Sequence, residues 1–230
     1  MTFLELCQRV QRETVTTGTM SAVVSATGAL KRIVDWVNSA YKDVQNKWID
    51  WKFLWAEDDF DLVASQRDYT PPAASGQVNE DSFYFVDTDG EKTKLSYVVY
   101  DDYRKAKDEY DGQDDDEPVD FTILPNGKVR FFPAPDAAAA ACTVEFEYWK
   151  AAADLAADGD TPLVPTQFQD TIIWRAKWYW AVFEEADFET RAADILYTQA
   201  MTRLEANQLP TRSKNGQGRA EGADITVVAE

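Results

Sequence analysis

Two carboxylates, Glu145 and Glu147, have the spacing that could support catalysis. They alternate along a predicted strand and therefore lie on one face of it, close to aromatic residues. Paired carboxylates with aromatic neighbours are typical of glycoside hydrolases, in which one acts as acid and the other as base or nucleophile. The alternating Val144, Phe146 and Tyr148 predict a buried opposite face. We therefore interpret the pair as the solvated face of a half-buried strand rather than as a catalytic site.

A run of carboxylates over residues 111–117 could bind a calcium ion, because calcium prefers oxygen ligands. An EF-hand loop needs a glycine at a fixed position, however, and Gly112 does not occupy that position. Pro118 also cuts the segment short. The run is therefore predicted to be a solvated acidic loop.

The sequence lacks histidine, which excludes Ser-His-Asp and Cys-His catalysis and removes the commonest zinc ligand. Gly216 and Gly218 are followed by Glu221 where a dinucleotide-binding loop requires a third small residue, and there is no P-loop lysine motif. Cys7 and Cys142 show no metal-binding spacing and are compatible with a reducing compartment. From these residues we predict no catalytic site, no metal ion and no cofactor.

The charge balance bears on nucleic-acid binding. The sequence has 23 Lys and Arg against 41 Asp and Glu, a net charge of -18. Binding to a phosphate backbone needs a basic face that releases counterions, so DNA is not expected as a bound ligand. An acidic wall would instead repel DNA and let it slide past. No apolar run approaches the roughly 20 residues of a membrane span, and the first residues lack a signal-peptide pattern, so a soluble protein is predicted.

Helices are predicted at the start of the chain. A short helix covers residues 3–10 and is followed by a Thr-, Ser- and Gly-rich loop from Thr14 to Gly28. A long amphipathic helix then begins with Thr27 as its N-cap and runs into the aromatic cluster 48–55. Its apolar residues recur at three- and four-residue steps: Leu30, Ile33, Val34, Val37, Tyr41, Val44 and Trp48.

Strand patterns replace the helical ones after the aromatic cluster. Three hairpins are predicted, with turns at Ser65–Gln66, at Asp87–Gly90 and at Asn126–Gly127. The strand 144–148 is expected to pair with the third hairpin. A short helix is predicted over residues 97–110, between the second and third hairpins.

The helical period returns near Thr161. Thr166 and Gln169 predict a capping box for a helix that reaches about Glu185, and a second helix is predicted over residues 187–209. The second helix has apolar residues on one side: Phe188, Ala192, Ile195, Leu196 and Leu204.

The first of these two helices is apolar nearly all round, because Arg175 and Lys177 are the only charged residues within 172–183. A helix covered with tryptophan is expected to be buried on more than one side, by its own chain or by a neighbouring copy. Interfaces are rich in Trp and Tyr, so we favour the neighbouring copy, and the core of the same chain remains the alternative. The interface candidates are Trp174, Trp178, Trp180 and Phe183.

After Pro210 the periodic pattern ends. A basic stretch is followed by a short apolar one. The segment is either a frayed terminus or an arm that orders on a partner, with its apolar part added to a foreign sheet edge. The candidate partner-docking residues are Arg212, Lys214, Arg219, Ile225, Val227 and Val228.

Several segments resemble the head-to-tail adaptor proteins of short-tailed bacteriophages. The similarity is most distinctive in Met1–Val10, in the loop that follows, in Leu30–Asn38 and in the aromatic cluster 48–55. It extends more loosely through Arg67–Tyr69, the strand-rich insert and the helix pair that Pro165 opens. The resemblance therefore touches most of the chain up to the C-terminal tail.

This resemblance implies a structural virion protein of the neck, made in the host cytoplasm. In that family a ring, usually of twelve copies, lies beneath the portal protein and above the tail tube or nozzle, and DNA passes through its centre without specific binding. Each copy in a ring needs two different patches, which the all-round apolar helix could supply. The family has no catalytic residues to transfer. Two other functions stay open: another neck or tail-completion protein such as a stopper, and a carbohydrate-binding tail component.

The predicted architecture is α+β, a helical bundle with an inserted antiparallel β-rich lobe and an extended C-terminal tail. The bundle comprises residues 1–56 and 162–209, the lobe residues 57–161 and the tail residues 210–230. A chain that is 45% hydrophobic and 13% aromatic can bury a core of this size. We expect the bundle to pack copy against copy, the lobe to contact the phage tail and the C-terminal arm to reach the portal.

Overall fold

We describe residues 1–209 in a computed structural model. Helices and mainly antiparallel sheets combine there, which confirms the predicted α+β class. The helices are α1 (Phe3–Glu13), α2 (Gly28–Asn46), α3 (Tyr100–Lys105), α4 (Lys107–Asp111), α5 (Asp170–Phe183) and α6 (Asp187–Gln208). The strands are β1 (Trp55–Asp61), β2 (Asp68–Tyr69), β3 (Ser75–Val78), β4 (Tyr84–Val86), β5 (Lys92–Lys94), β6 (Ser96–Tyr97), β7 (Asp120–Ile123), β8 (Val129–Phe132) and β9 (Thr143–Lys150). None of the helices in this range is long and apolar enough to cross a membrane.

The C-terminal tail lies beyond this range. The predicted portal-docking residues therefore fall outside the described part of the chain: Arg212, Lys214, Arg219, Ile225, Val227 and Val228. Their role stays a prediction from the sequence.

Helix α1 confirms the predicted first helix and is capped at both ends. At its start Thr2 and Glu5 form a capping box, in which Thr2 Oγ1 accepts from the Glu5 amide at 3.3 Å and Glu5 Oε2 accepts from the Thr2 amide at 2.8 Å. At its end the amides of Val15 and Thr16 donate to carbonyls of the last turn, as in a Schellman motif. The motif places Val15 in the left-handed region, at φ 50°, where glycine is usual.

We expect Val15→Gly to raise the free energy of unfolding by about 1 kcal/mol. A side chain in left-handed backbone costs about 1–2 kcal/mol, and the greater freedom of glycine in the unfolded chain cancels part of the gain. The Val15 side chain is exposed, so little packing is lost. Urea unfolding measures the change, with Val24→Gly, an exposed valine without a positive φ, as the control. A loss of stability in both variants would contradict this prediction.

Helix α2 begins after Thr27, as predicted, although the Thr27 side chain makes no capping hydrogen bond. The helix ends at Asn46, so its predicted continuation into the aromatic cluster is wrong. The chain leaves the helix because Trp51 folds back onto it, with a fully buried ring whose Nε1 donates to the Val44 carbonyl at 2.9 Å. Trp48, which fitted the helical spacing, lies outside the helix and is 41% exposed.

Helix α2 packs against α1 and α5, and α5 packs against α6, around one hydrophobic cluster that we call the helical core. The segment after β9 is attached to α2. Asn38 and Leu155 exchange hydrogen bonds of 2.9 and 3.0 Å, and Gln45 donates to the Ala153 carbonyl at 3.1 Å. The helical core also contains the Leu155 side chain. Its largest fully buried residues include Phe3, Leu6, Ile33, Trp51 and Ile172.

The first sheet is built on the long strand β9. Strand β1 pairs with it along one side, from Trp55 opposite Trp149 to Asp61 opposite Thr143. On the other side β4 and β3 pair with different parts of β9, and β5 lies beyond β4. The second sheet has the order β2-β8-β7-β6. In it β6 and β7 are parallel, an exception to the predicted antiparallel lobe.

The two sheets share a second hydrophobic cluster, which we call the sheet core. Phe83, directly before β4, stacks on Phe121 of β7 with ring centroids 3.9 Å apart. Phe60 of β1 stacks on Phe146 at 4.5 Å and meets Phe131 of β8 edge-on at 6.0 Å. Aromatic pairs in these geometries add to the free energy gained from burial. The chain therefore has two hydrophobic centres, one helical and one made of strands.

Glycine turns placed two hairpins correctly. Strands β4 and β5 are joined through Gly90 at φ 84°, and β7 and β8 through Gly127 at φ 79°. The hairpin predicted around Ser65 is wrong: the chain turns there, but β1 joins the first sheet and β2 the second. The pairing of β9 with the third hairpin is also wrong, because β8 pairs with β2 instead. Alternation identifies the buried face of a strand and not its partner.

Two predictions about helices are wrong in part: the single helix over residues 97–110 and the capping box at Thr166. The helix predicted over residues 97–110 forms as α3 and α4, which meet at Ala106. The capping box at Thr166 is absent, and α5 begins only at Asp170. Gln169 is buried instead, where its Nε2 donates to a carbonyl at 3.2 Å and its Oε1 accepts from the amino group of the first residue at 2.8 Å. A long-range contact has replaced the local cap.

Candidate assembly surfaces

Helix α5 carries the four side chains predicted to lie at a subunit interface. Trp174, Trp178 and Trp180 are half-buried, and Phe183 is 50% exposed, so each has surface that the described chain leaves uncovered. The buried side of the helix consists of smaller residues: Thr171, Ile172, Ile173, Ala176 and Ala181. One side of α5 therefore packs against the helical core, and its large aromatic residues lie on the other sides, where they are partly exposed.

Trp178 is partly engaged within its own chain. The Arg175 guanidinium lies over three rings whose centroids are 4.5, 5.1 and 5.4 Å away: Trp178, Tyr179 and Tyr197. Arg175 Nε and the Tyr179 hydroxyl donate to Asp43 Oδ2 at 2.6 and 2.8 Å. Burial, together with this hydrogen bond to Asp43, raises the pKa of Tyr179. The cluster joins α2, α5 and α6 and leaves only part of the Trp178 ring for another copy.

Helix α6 has an apolar stripe that no part of residues 1–209 covers. Phe188 is 80% exposed, Ile195 58% and Leu196 36%. At about 3.6 residues per turn these three lie on the side of the helix away from the helical core. The side facing that core holds Ala193, Ala200, Met201 and Leu204. We call the exposed residues the α6 stripe; the prediction that Leu204 shares their side is wrong, because Leu204 is buried on the opposite one.

Carboxylates surround the α6 stripe. Residues 184–196 contain a single basic residue, Arg191, and five carboxylates: Glu184, Glu185, Asp187, Glu189 and Asp194. Among residues 1–209, Glu189 alone of these five forms an ion pair, with Lys177 at 2.8 Å. The rim of the stripe is therefore strongly negative and largely unpaired.

A second apolar patch lies where α2 ends and β1 begins. Trp48 and Ile49 are 41% and 55% exposed beside a groove of about 300 Å³, which Leu54 and Trp149 also line. Trp48 Nε1 donates to Glu205 Oε1 at 2.9 Å, and this bond holds the ring against the end of α6. We call this surface the junction patch. The patch was not predicted, because Trp48 fits the spacing of a buried helical face.

Lysines border the junction patch. Lys47 pairs with Glu205 at 2.9 Å, whereas Lys52 and Lys150 form no ion pair in the described part of the chain. Asp50 is the one carboxylate within residues 47–52. In a chain with a net charge of -18 this rim is unusually basic.

The outer face of the first sheet carries four carboxylates in register. Glu57 lies directly opposite Glu147, and Asp59 directly opposite Glu145, beside a groove of about 470 Å³. Like charges in this position destabilise a sheet, and Lys92 offsets part of the repulsion by pairing with Glu145. Burial along β9 alternates, which confirms that Glu145 and Glu147 lie on its solvated face. Among residues 1–209 no group of three or more His, Cys, Asp or Glu could hold a metal ion.

Asp111 departs from the predicted solvated loop. It is half-buried and pairs with Arg67 at 3.4 Å and with Arg130 at 3.6 Å. Arg130 also makes a two-pronged contact with Asp68, with N–O distances of 2.6 and 2.9 Å. The other carboxylates of the run, at residues 114–117, are exposed, as predicted. No local sequence pattern predicts this network, because its members come from separate elements.

We expect Arg130→Met to lower the free energy of unfolding at neutral pH by about 2 kcal/mol, because it removes charged hydrogen bonds to Asp68. The hydrogen bond from Arg130 lowers the pKa of Asp68 below its ordinary value of 3.8. The contribution is therefore complete above pH 3.8 and is lost as the pH falls through the lower pKa of the folded state. Urea unfolding over a pH series should show the two proteins converging in acid, whereas Arg104→Met, an exposed arginine, should follow the wild type. An equal deficit at every pH would contradict this account.

Two uncovered apolar patches, such as the α6 stripe and the junction patch, are typical of proteins that act through contacts with other macromolecules. The chain belongs to a family of adaptor proteins: the family model of the SU10 adaptor protein matches residues 1–221. This confirms the resemblance to phage head-to-tail adaptors. Among curated proteins none matches the chain. Membership of the family implies a structural phage protein of the virion neck that interacts with portal and tail components.

Proposed function

We propose that the protein forms a ring of twelve copies between the portal and the tail, and that DNA passes through this ring. The observation that carries the proposal is the apolar surface that α5 and α6 leave uncovered in a chain of the adaptor family. A monomer gains nothing from such surface, whereas neighbouring copies in a ring would bury it. A closed ring further requires two different patches on each copy, and the chain has two.

The two hydrophobic cores support a division of roles within the ring. We propose that the helical bundle, residues 1–56 and 162–209, forms the wall of the ring and packs copy against copy. The inserted lobe, residues 57–161, contacts the tail tube or nozzle. The C-terminal tail, residues 210–230, reaches the portal.

The charge of the protein supports the passage of DNA without binding. Each copy has a net charge of -18, so a ring concentrates negative charge around its channel. Repulsion of this kind keeps a phosphate backbone from adhering to the wall and weakens with salt over about 8–10 Å. The acidic outer face of the first sheet adds to this repulsion wherever it faces the channel.

Mass measurement with and without the portal tests the proposal. The purified full-length chain is mixed with its portal, and native mass spectrometry and electron microscopy record the copy number and position. We expect a single ring of identical copies bound to one end of the portal. Failure of the chain to bind the portal, or binding as a single copy, would overturn the proposal.

We expect Trp180→Ala to weaken ring formation on the portal by about 5–30-fold, or about 1–2 kcal/mol, because interface tryptophans are frequent hot spots. Trp178→Ala should also lower the free energy of unfolding, because it removes the ring stacked on Arg175. Trp55→Ala, at an exposed tryptophan of β1, is the control for assembly. Wild-type assembly of Trp180→Ala would show that this residue lies outside the interface.

A further inference from the structure

We infer that the α6 stripe of one copy packs against the junction patch of the next copy. The inference rests on the proposed ring, because it specifies one contact between neighbouring copies in addition to the α5 residues proposed for the interface. The shapes of the two surfaces fit this role. Phe188 and Ile195 project from a helix face, and the junction patch offers a groove of about 300 Å³ beside Trp48 and Ile49. An apolar ridge entering an apolar groove buries both surfaces from water.

The charges around the two surfaces are complementary. Over residues 1–209, Glu184, Glu185 and Asp187 form no ion pair at the start of the α6 stripe. Lys150 lines the groove of the junction patch, and Lys52 Nζ donates to the Asn207 carbonyl at 3.5 Å near the end of α6; neither lysine has an ion-pair partner in this range. Opposite charges at the rims of two apolar patches steer their association and fix its register. Two copies of the α6 stripe would instead bring like charges together, which disfavours a symmetric dimer through this face.

The two surfaces cannot meet within one copy. Trp48 is bonded to Glu205 near the end of α6, whereas Phe188 lies in its first turn, about 25 Å away at about 1.5 Å per residue. The stripe also faces away from the helical core, which the junction patch adjoins. A contact between different patches at opposite ends of one helix is heterologous, and repetition of such a contact generates rings or filaments.

Cross-linking between engineered cysteines tests the contact. The double variant Ile49→Cys/Ile195→Cys of the full-length chain is assembled on the portal and treated with a flexible bismaleimide. The native cysteines should not interfere, because both are buried and burial raises the pKa of Cys7 to about 12. The control variant pairs Ile49→Cys with Val63→Cys, a valine of the β1–β2 connection that is 50% exposed.

We expect a ladder of covalent oligomers from the double variant, at least about tenfold above the control. A mixture of the two single variants should give dimers only, and each single variant alone should stay monomeric. Dimers from Ile195→Cys alone would show that the α6 stripes of two copies contact each other and would overturn the inference. Cross-links from Ile195→Cys to the portal would assign the stripe to that partner and would overturn it as well.

A ring that binds the portal but gives no cross-links above the control would overturn this contact and leave the proposed function intact. Absence of a ring from the wild type would instead overturn the proposed function. Charge reversal supplies a second readout that does not depend on the cysteines. Lys52→Glu/Lys150→Glu should weaken assembly about tenfold, and Glu184→Lys/Asp187→Lys in the same chain should restore it. Loss of assembly without restoration would count against the contact.

Discussion

Trp51→Ala is expected to lower the free energy of unfolding by about 3–5 kcal/mol, the usual cost of removing a fully buried large aromatic side chain. The Trp51 ring has no exposed surface and stacks on Phe53 with centroids 5.2 Å apart. Its Nε1 donates to the Val44 carbonyl, so alanine also leaves that buried acceptor unpaired. Because Trp51 turns the chain from α2 towards β1, the variant should loosen the connection between the two cores as well.

Urea unfolding followed by circular dichroism measures this loss. Trp48→Ala is the matched control, since it removes a tryptophan of the same segment that is 41% exposed. The control loses one hydrogen bond to Glu205 and should cost about 1 kcal/mol or less. Similar losses in the two variants would contradict the central packing role that we assign to Trp51.

Local signals predicted the helices and tight turns well. Gly90 and Gly127 occur where the chain needs a positive φ, and both hairpins formed around them. The period of α1 and of α6 predicted their extents within a few residues. These features depend on neighbours in the sequence, and a single chain contains enough information to place them.

Features that depend on distant residues were not predictable in the same way. The alternation in β9 predicted a buried and a solvated face, yet it could not choose between β1 and β8 as partner. The aromatic cluster after α2 continued the apolar spacing, and only the fold-back of Trp51 ends the helix. Gln169 likewise forms no local cap, because its side chain accepts a hydrogen bond from the amino group of Met1.

The same limit applies to the assembly surfaces. Apolar spacing in α6 identified Phe188, Ile195 and Leu196 as one face, but spacing cannot say which of two apolar faces the rest of the chain covers. The stacking of Trp178 on Arg175 had a local signal, since residues three apart adjoin on a helix. The junction patch had none, because it forms only when α2, β9 and α6 come together.

The order of these surfaces along α6 relates the fold to assembly. The helix is packed on one side and bare on the other, and its far end holds Trp48 of the junction patch. A rigid helix of this kind fixes the separation and direction of the two patches, and these determine whether repeated contacts close into a ring. Stability of the helical core is therefore a condition for the proposed assembly, and β9 connects this core to the sheets, because its Trp149 packs against the helical core.

Phe83→Ala is expected to cost about 3–5 kcal/mol of stability, because it empties the centre of the sheet core. Phe83 is fully buried and stacks on Phe121 at 3.9 Å and on Phe146 at 5.3 Å. The cavity that alanine leaves should not be filled by a local rearrangement, because Phe121 and Phe146 belong to different sheets. Tyr84→Ala removes the next side chain, which is 36% exposed on the opposite face, and should cost much less.

The Phe83→Ala variant also tests whether the two cores unfold together. The sheet core has no tryptophan, whereas Trp51 lies in the helical core, so tryptophan fluorescence reports mainly on the helices. A backbone hydrogen bond connects the regions, from the Lys150 amide of β9 to the carbonyl of Leu54, a residue of the helical core, at 2.8 Å. We therefore expect the fluorescence and circular dichroism transitions to shift together to lower urea. A fluorescence midpoint that stays at the wild-type value would show that the lobe unfolds independently of the helices. The proposed contacts of the lobe to the tail could then change without loosening the proposed ring.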